Sequence, residues 1–144
     1  MHHVENDLSF FENYFDKKKN PIKSDSKILC SDPSHKVFLC NFEGKELSAD
    51  IDFLSYEDAL RYNKFFSNDH PELNNKLWII AFSGQGDYWF IDNSKNLISW
   101  FNHEEGEFDY SKLLNFPINF VGFVKFAQLV GVLDNENWKI LNTT

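Results

Sequence analysis

The chain has 144 residues, of which 17% are aromatic and 16 are phenylalanine, with a formal net charge of −8. That length makes one domain, 1–144, the simplest reading and allows a core that needs neither disulfides nor a structural metal. So much bulky apolar material excludes a disordered chain, and no apolar run approaches the ~20 residues that span a bilayer.

The opening stretch, MHHVENDLSFFENYF, carries acids where a signal peptide has a basic region and a long apolar segment. A soluble, cytoplasmic protein without membrane contact is expected. Cys30 and Cys40 form no Cys-x-x-Cys pair and read as free thiols. The charge is uneven. Between Glu43 and Asp109 there are 5 basic and 14 acidic residues, a balance of −9. Such a surface repels nucleic-acid phosphates and attracts basic partners.

In chain order, Val4, Leu8, Phe11 and Phe15 recur at helical spacing, so a helix is expected over 4–17. Its acids come early, and Lys17, Lys18 and Lys19 would form a solvated basic end that suits the helix dipole. A loop follows over 20–27. KVFLCNF reads as a β run. ELSADIDF alternates, with Leu47, Ala49, Ile51 and Phe53 inward and Ser48, Asp50 and Asp52 outward, as in a half-buried strand. Glu43 to Lys45 would turn the hairpin between them. SYEDALRYNKFF reads as a helix, opened by Ser55 with Asp58 as a capping box. SNDHPELNN is a loop. KLWIIAF, GDYWFID and NLISWFN are three strands, the last two joined by a turn at 93–96. HEEGEFDYSKLLNFP is a polar bend and loop. NFVGFVKFAQLVGVL closes the chain as a helix capped by Asn119, with Phe120, Val124, Ala127 and Val130 as its buried stripe. The fold class is therefore α+β, a mainly antiparallel sheet of about five strands backed by helices on one face.

The stretch SGQGDYWFID raises the question of chemistry. It lacks the Lys of a phosphate loop and the following helix of a dinucleotide loop. Ser83 precedes both glycines, so it is not a nucleophile elbow. A hairpin bend remains, with positive φ at Gly84 and Gly86. No cofactor is expected. His103 and Glu105 could share a strand face, but no second histidine cluster completes a metal site. The strand pair does bring aromatic groups close to acids: Asp87, Tyr88, Asp92, Trp100, His103, Glu104, Glu105 and Glu107. Exposed Tyr and Trp anchor protein interfaces, and an acid rim selects a basic partner. These eight residues are the candidate partner-binding set.

Residues Leu77 to Phe82, Gly84, Gly86-Asp87, Tyr88 to Asp92, Ile98 to Phe101, His103-Glu104 and Phe120 to Leu129 follow one pattern. It is an apolar strand, a Gly-rich bend with Gly-Asp, a strand ending before His-Glu, and a Phe-rich helix. In this the chain resembles the SUKH superfamily and its Smi/Knr-like proteins, over Leu77 to Val130. Upstream, over 21–53, the family's Leu-Pro segment and Asn-Gly-Gly turn are missing. The resemblance implies a non-enzymatic α+β domain. It implies a bacterial immunity protein that binds and neutralises a cognate toxin, often a nuclease, or a regulatory adaptor with another protein partner. A third reading, from the residues alone, is a small hydrolase built on His103 and nearby carboxylates.

Overall fold

In the computed structural model, residues 3–23 and 26–142 are described, with side chains as far as residue 136. Four helices flank a six-stranded antiparallel sheet whose strands lie in chain order. The helices are α1 (Val4–Phe11), α2 (Pro33–Asn41), α3 (Tyr56–Asp69) and α4 (Phe120–Asn142). The strands are β1 (Glu46–Ser48), β2 (Ile51–Phe53), β3 (Leu77–Phe82), β4 (Tyr88–Asp92), β5 (Leu97–Phe101) and β6 (Leu114–Phe116). The class is α+β, as expected, with one strand more.

The first half departs from the sequence expectations. Helix α1 ends at Phe11, not 17, because Phe15 has to turn into the core, where it is 5% exposed. The Asn13 amide closes the end by donating to the carbonyls of Ser9 and Phe10. The lysine run is then no helix end. Lys17 bridges to Phe42, and the Lys18 stem is buried with its ammonium 3.6 Å from Glu43 and 3.7 Å from Glu57. Residues 24 and 25 of the expected loop lie outside the described residues.

KVFLCNF is helical, not a strand. Asp32 precedes Pro33, and its carboxylate accepts from the amides of Ser34 and His35 at 2.9 and 3.3 Å. An aspartate N-cap with proline at the first helical position starts a helix strongly. His35, Phe38, Leu39 and Phe42 then fall on one buried face.

ELSADIDF is two strands, not one. Ala49 and Asp50 turn between them, and Ser48 pairs with Ile51. Directly paired residues share a face. Ser48 is therefore buried beside Ile51, while Ala49 is exposed on the turn. Ser55 stands before α3 but its side chain caps nothing, and Asp58 instead meets Arg61 at 2.9 Å.

The second half follows its pattern more closely: β3, β4 and β5 lie where the apolar runs put them, and α4 starts as expected but runs on to Asn142, with Phe120, Val124 and Ala127 of the expected stripe buried and Val130 only half-buried. Asn119 caps α4 by accepting from the Gly122 amide at 2.9 Å. Strand β6 was hidden in the polar loop.

The sheet is covered by helices on both faces, not on one as expected, because its apolar strands bury side chains in both directions. Neighbours on a strand point to opposite sides. Trp89 packs 4.9 Å from Phe123 of α4, and Phe90 packs 5.3 Å from Phe66 of α3. Helices α1, α2 and α4 thus share one face, and α3 covers the other. On the first side the phenylalanines make one edge-to-face cluster. Phe15 meets Phe38 at 4.7 Å, Phe11 meets Phe120 at 5.7 Å, and Phe53 meets Phe123 at 5.4 Å. On the second, Asn63 fastens α3 to β3. Its amide donates to the Ile79 carbonyl at 3.1 Å, and its oxygen accepts the Ile79 amide at 2.7 Å.

Gly131 lets α4 lie directly on β1. A Cβ there would run into the carbonyl oxygen of Leu47, which is backbone and cannot yield. Gly131→Ala gains about 1 kcal/mol of helix propensity, yet is expected to destabilise the fold by about 1–3 kcal/mol net. Urea denaturation measures this, and a stabilised variant would mean that α4 does not sit on β1.

Candidate functional site

Ser83 to Asp87 form the hairpin bend between β3 and β4. The Ser83 hydroxyl accepts the amides of Gln85 and Asp87 at 3.2 and 3.0 Å and donates to the Asp87 carboxylate at 2.9 Å. Gly86 has φ +96°, which a side chain would strain; Gly84 has no positive φ, contrary to expectation.

Asp87 is only 5% exposed. Its other oxygen accepts the His103 amide at 2.8 Å and lies 2.6 Å from His103 Nδ1. Burial pushes this carboxyl up, but the His103 amide and ring and the Ser83 hydroxyl outweigh burial and hold it below its ordinary value. A buried aspartate thus ties the bend at 83–87 to the bend at 103–107. Asn102 caps that second bend on the Glu104 amide, and Gly106 closes it at φ +85°.

Asp92 plays a similar part. It is fully buried and accepts from the Ser94 amide and hydroxyl, the Lys95 amide and the Tyr110 hydroxyl, the last at 2.6 Å. Burial raises its carboxyl, and these donors more than compensate. Burial and the neighbouring carboxylate raise the Tyr110 hydroxyl in turn. Asp87 and Asp92 were placed by sequence in the partner-binding set. Their carboxylates are spent on internal donors, so they hold the scaffold and present no charge to a partner.

Register divides the remaining six. Tyr88 pairs with Phe101 and Trp89 with Trp100, so Tyr88 and Trp100 face opposite sides of the sheet. Trp100 lies on the α4 side, 5.8 Å from Trp89 and paired with the exposed Leu114. Tyr88 lies on the α3 side, together with His103. Alternation over YWF made both faces equally aromatic in sequence and so could not separate them.

What Tyr88 and His103 share is a cleft of about 390 Å³ between α3 and the bend at 103–108. Tyr62, Phe65, Phe66, Phe82, Phe101 and Phe108 add to its aromatic lining, with Asp69 and His70 beside them. Phe65 is 56% exposed, a large apolar group left in water at the mouth. The sequence reading missed Tyr62, Phe65 and Phe82. Only the spacing of Tyr62, Phe65 and Phe66 on one helix face hinted at the first two.

Glu104, Glu105 and Glu107 are exposed on the bend beside this cleft. Glu105 stands 3.9 Å from Lys112. The carboxylates of Glu104 and Glu107 have no ion pair or hydrogen bond among the described residues. The ionised Asp87 carboxylate can only accept, so His103 donates from Nδ1, which leaves Nε2 for whatever enters the cleft. Ser83 touches Asp87 and not His103, so the three do not make a Ser-His-Asp relay. Among the described residues, no three His, Cys, Asp or Glu side chains converge as a metal site requires. Likewise no described helix is long and apolar enough to cross a membrane.

No family model, curated protein or solved structure matches this chain. The site has to be read from its own geometry.

Proposed function

We propose that the chain is a protein-binding module of the immunity type, which neutralises a toxin, possibly a nuclease, by occupying a basic surface. The resemblance to the SUKH superfamily prompts this reading. The acid-flanked aromatic cleft carries it: exposed Phe65 and half-buried Tyr88 offer apolar contact, and Glu104 and Glu107 offer unpaired charge beside it. Apolar anchors with a charged rim are the ordinary composition of an interface that selects a basic partner. A nuclease holds phosphates with basic groups, so an acidic protein competes for the same ground.

The deciding experiment is recovery of partners with the tagged full chain at low and then high salt, read by mass spectrometry. A basic toxin domain that elutes as salt rises supports the reading. Housekeeping proteins in its place would favour a regulatory adaptor. With a partner in hand, Glu104→Lys with Glu105→Lys is expected to weaken binding and flatten its salt dependence. Unchanged affinity would remove the acid bend from the interface.

One observation favours a second reading. The Asp87–His103 pair, with Nε2 unbonded at a cleft, is the arrangement of a general base. The cleft lining has no Ser, Cys or Thr to act as a nucleophile, so such a hydrolase would have to activate water. Hydrolytic activity lost in a folded His103→Ala variant would establish it.

A further inference from the structure

On the other side of α3 lies a second cleft, about 560 Å³, between α3, the start of β3 and the segment at 26–29. Its floor is apolar: Phe66, Leu73, Leu77 and Trp78 are each less than 9% exposed. Leu29, 44% exposed, stands as one wall. Its size and lining are those of a small-molecule site.

Two amides hold the walls in place. Asn93 donates to the carbonyls of Leu29 and Asn75 at 2.9 and 3.0 Å and accepts the Ser31 amide at 2.8 Å. It joins the outer wall to the turn before β3. Asn63 fixes the opposite wall, α3, to Ile79 of β3. The space is therefore built before any ligand arrives.

The charge is the reverse of the chain as a whole. The chain has 22 acidic and 14 basic residues, yet among the described residues that line the cleft there are two lysines and no carboxylate. Lys64 is exposed and has no acidic partner among the described residues. Ser67, Asn74 and Asn75 add neutral polar groups at the same mouth. An apolar floor below a mouth that carries Lys64 complements a molecule with an apolar body and one anionic end.

We infer that this cleft binds a small anionic amphiphile, a carboxylate on an apolar body, with Lys64 as the anchor of the charge. Such a carboxylate could come from a lipid chain or from an aromatic metabolite. Two probes separate these sources, octanoate and 2-naphthoate.

Each probe is titrated into the full chain and followed by amide NMR, with octyltrimethylammonium as the control of opposite charge. Saturable shifts confined to residues 60–67 and 73–78 are expected with at least one carboxylate and not with the cation. The tighter probe identifies the body the cleft prefers. Lys64→Glu is expected to weaken that binding roughly tenfold or more, whereas Lys125→Glu, the same charge change on α4, leaves it unchanged. Absence of saturable shifts with both carboxylates at millimolar concentration overturns the assignment. So do equal shifts from the cation, or shifts that centre on the aromatic cleft at Tyr88. Equal loss in both lysine variants would mean diffuse charge and no site.

Discussion

Asp32→Ala is expected to be the most damaging single truncation of a polar side chain, because one carboxylate caps two helices. One oxygen accepts the Ser34 and His35 amides at the start of α2. The other accepts the Phe120 amide at the start of α4, at 2.9 Å and 88 residues away. His35 and Phe120 are fully buried, so their amides cannot turn to water once the acid is gone. Losing an N-cap costs about 1 kcal/mol, and an orphaned buried donor about 1–3 kcal/mol. The expected loss is about 2–4 kcal/mol, read from chemical denaturation at neutral pH. Asp32→Asn keeps one oxygen acceptor and should fall between the two. A loss below about 1 kcal/mol, the value of one surface cap, would mean the carboxylate does not serve both helices.

Acid is expected to destabilise the protein well before its carboxylates titrate, through His35. The ring is fully buried, and Nε2 accepts the Trp78 indole N–H at 2.9 Å. The proton is therefore on Nδ1, which has no hydrogen-bond partner. Protonating Nε2 would set two donors against each other with no acid beside them. Burial accordingly lowers the His35 pKa from 6.5 to about 3. The unfolded chain takes up this proton near its ordinary value and the folded chain does not. Stability is then complete above pH ~6.5 and declines as pH falls toward the folded value, by up to about 1.4 kcal/mol per pH unit. Between pH 6.5 and 5 the loss from this group is about 1.6 kcal/mol. Asp87 and Asp92, both held below their ordinary range, act in the same direction but at lower pH. His35→Gln can still accept from Trp78 and does not titrate. It should be less stable at pH 7 and nearly flat between pH 6.5 and 5. A slope equal to that of the parent would place the acid sensitivity elsewhere.

The partner-binding set shows where sequence reasoning stops. Composition concentrated aromatics and acids around β4 and β5, and of these Tyr88 and His103 line one cleft, with Glu104 and Glu107 exposed on the adjoining bend. Yet an aspartate in a sequence does not reveal whether its oxygens point to water or to amides. Asp87 and Asp92 look the same as Glu104 until the donors from His103, Ser94 and Tyr110 are seen around them. Trp100 was separated from Tyr88 by register alone.

What the sequence determined by itself was the class, the sheet core and the last helix. β3, β4, β5 and the first two turns of α4 are apolar or periodic segments, and there local pattern and burial agree, whereas farther along α4 Leu129, Val132 and Leu133 stand exposed. The tertiary structure decided the first half. KVFLCNF has apolar residues compatible with either period, and Asp32 tips it to helix while also gripping α4. ELSADIDF alternates like one strand, but Gly44, whose Cβ would strike the Phe53 carbonyl, and the close seat of Gly131 on Leu47 bring the chain back as two. Short apolar segments carry too little pattern to choose their own conformation. Long-range contacts supply the remaining free energy, and only the folded chain contains them.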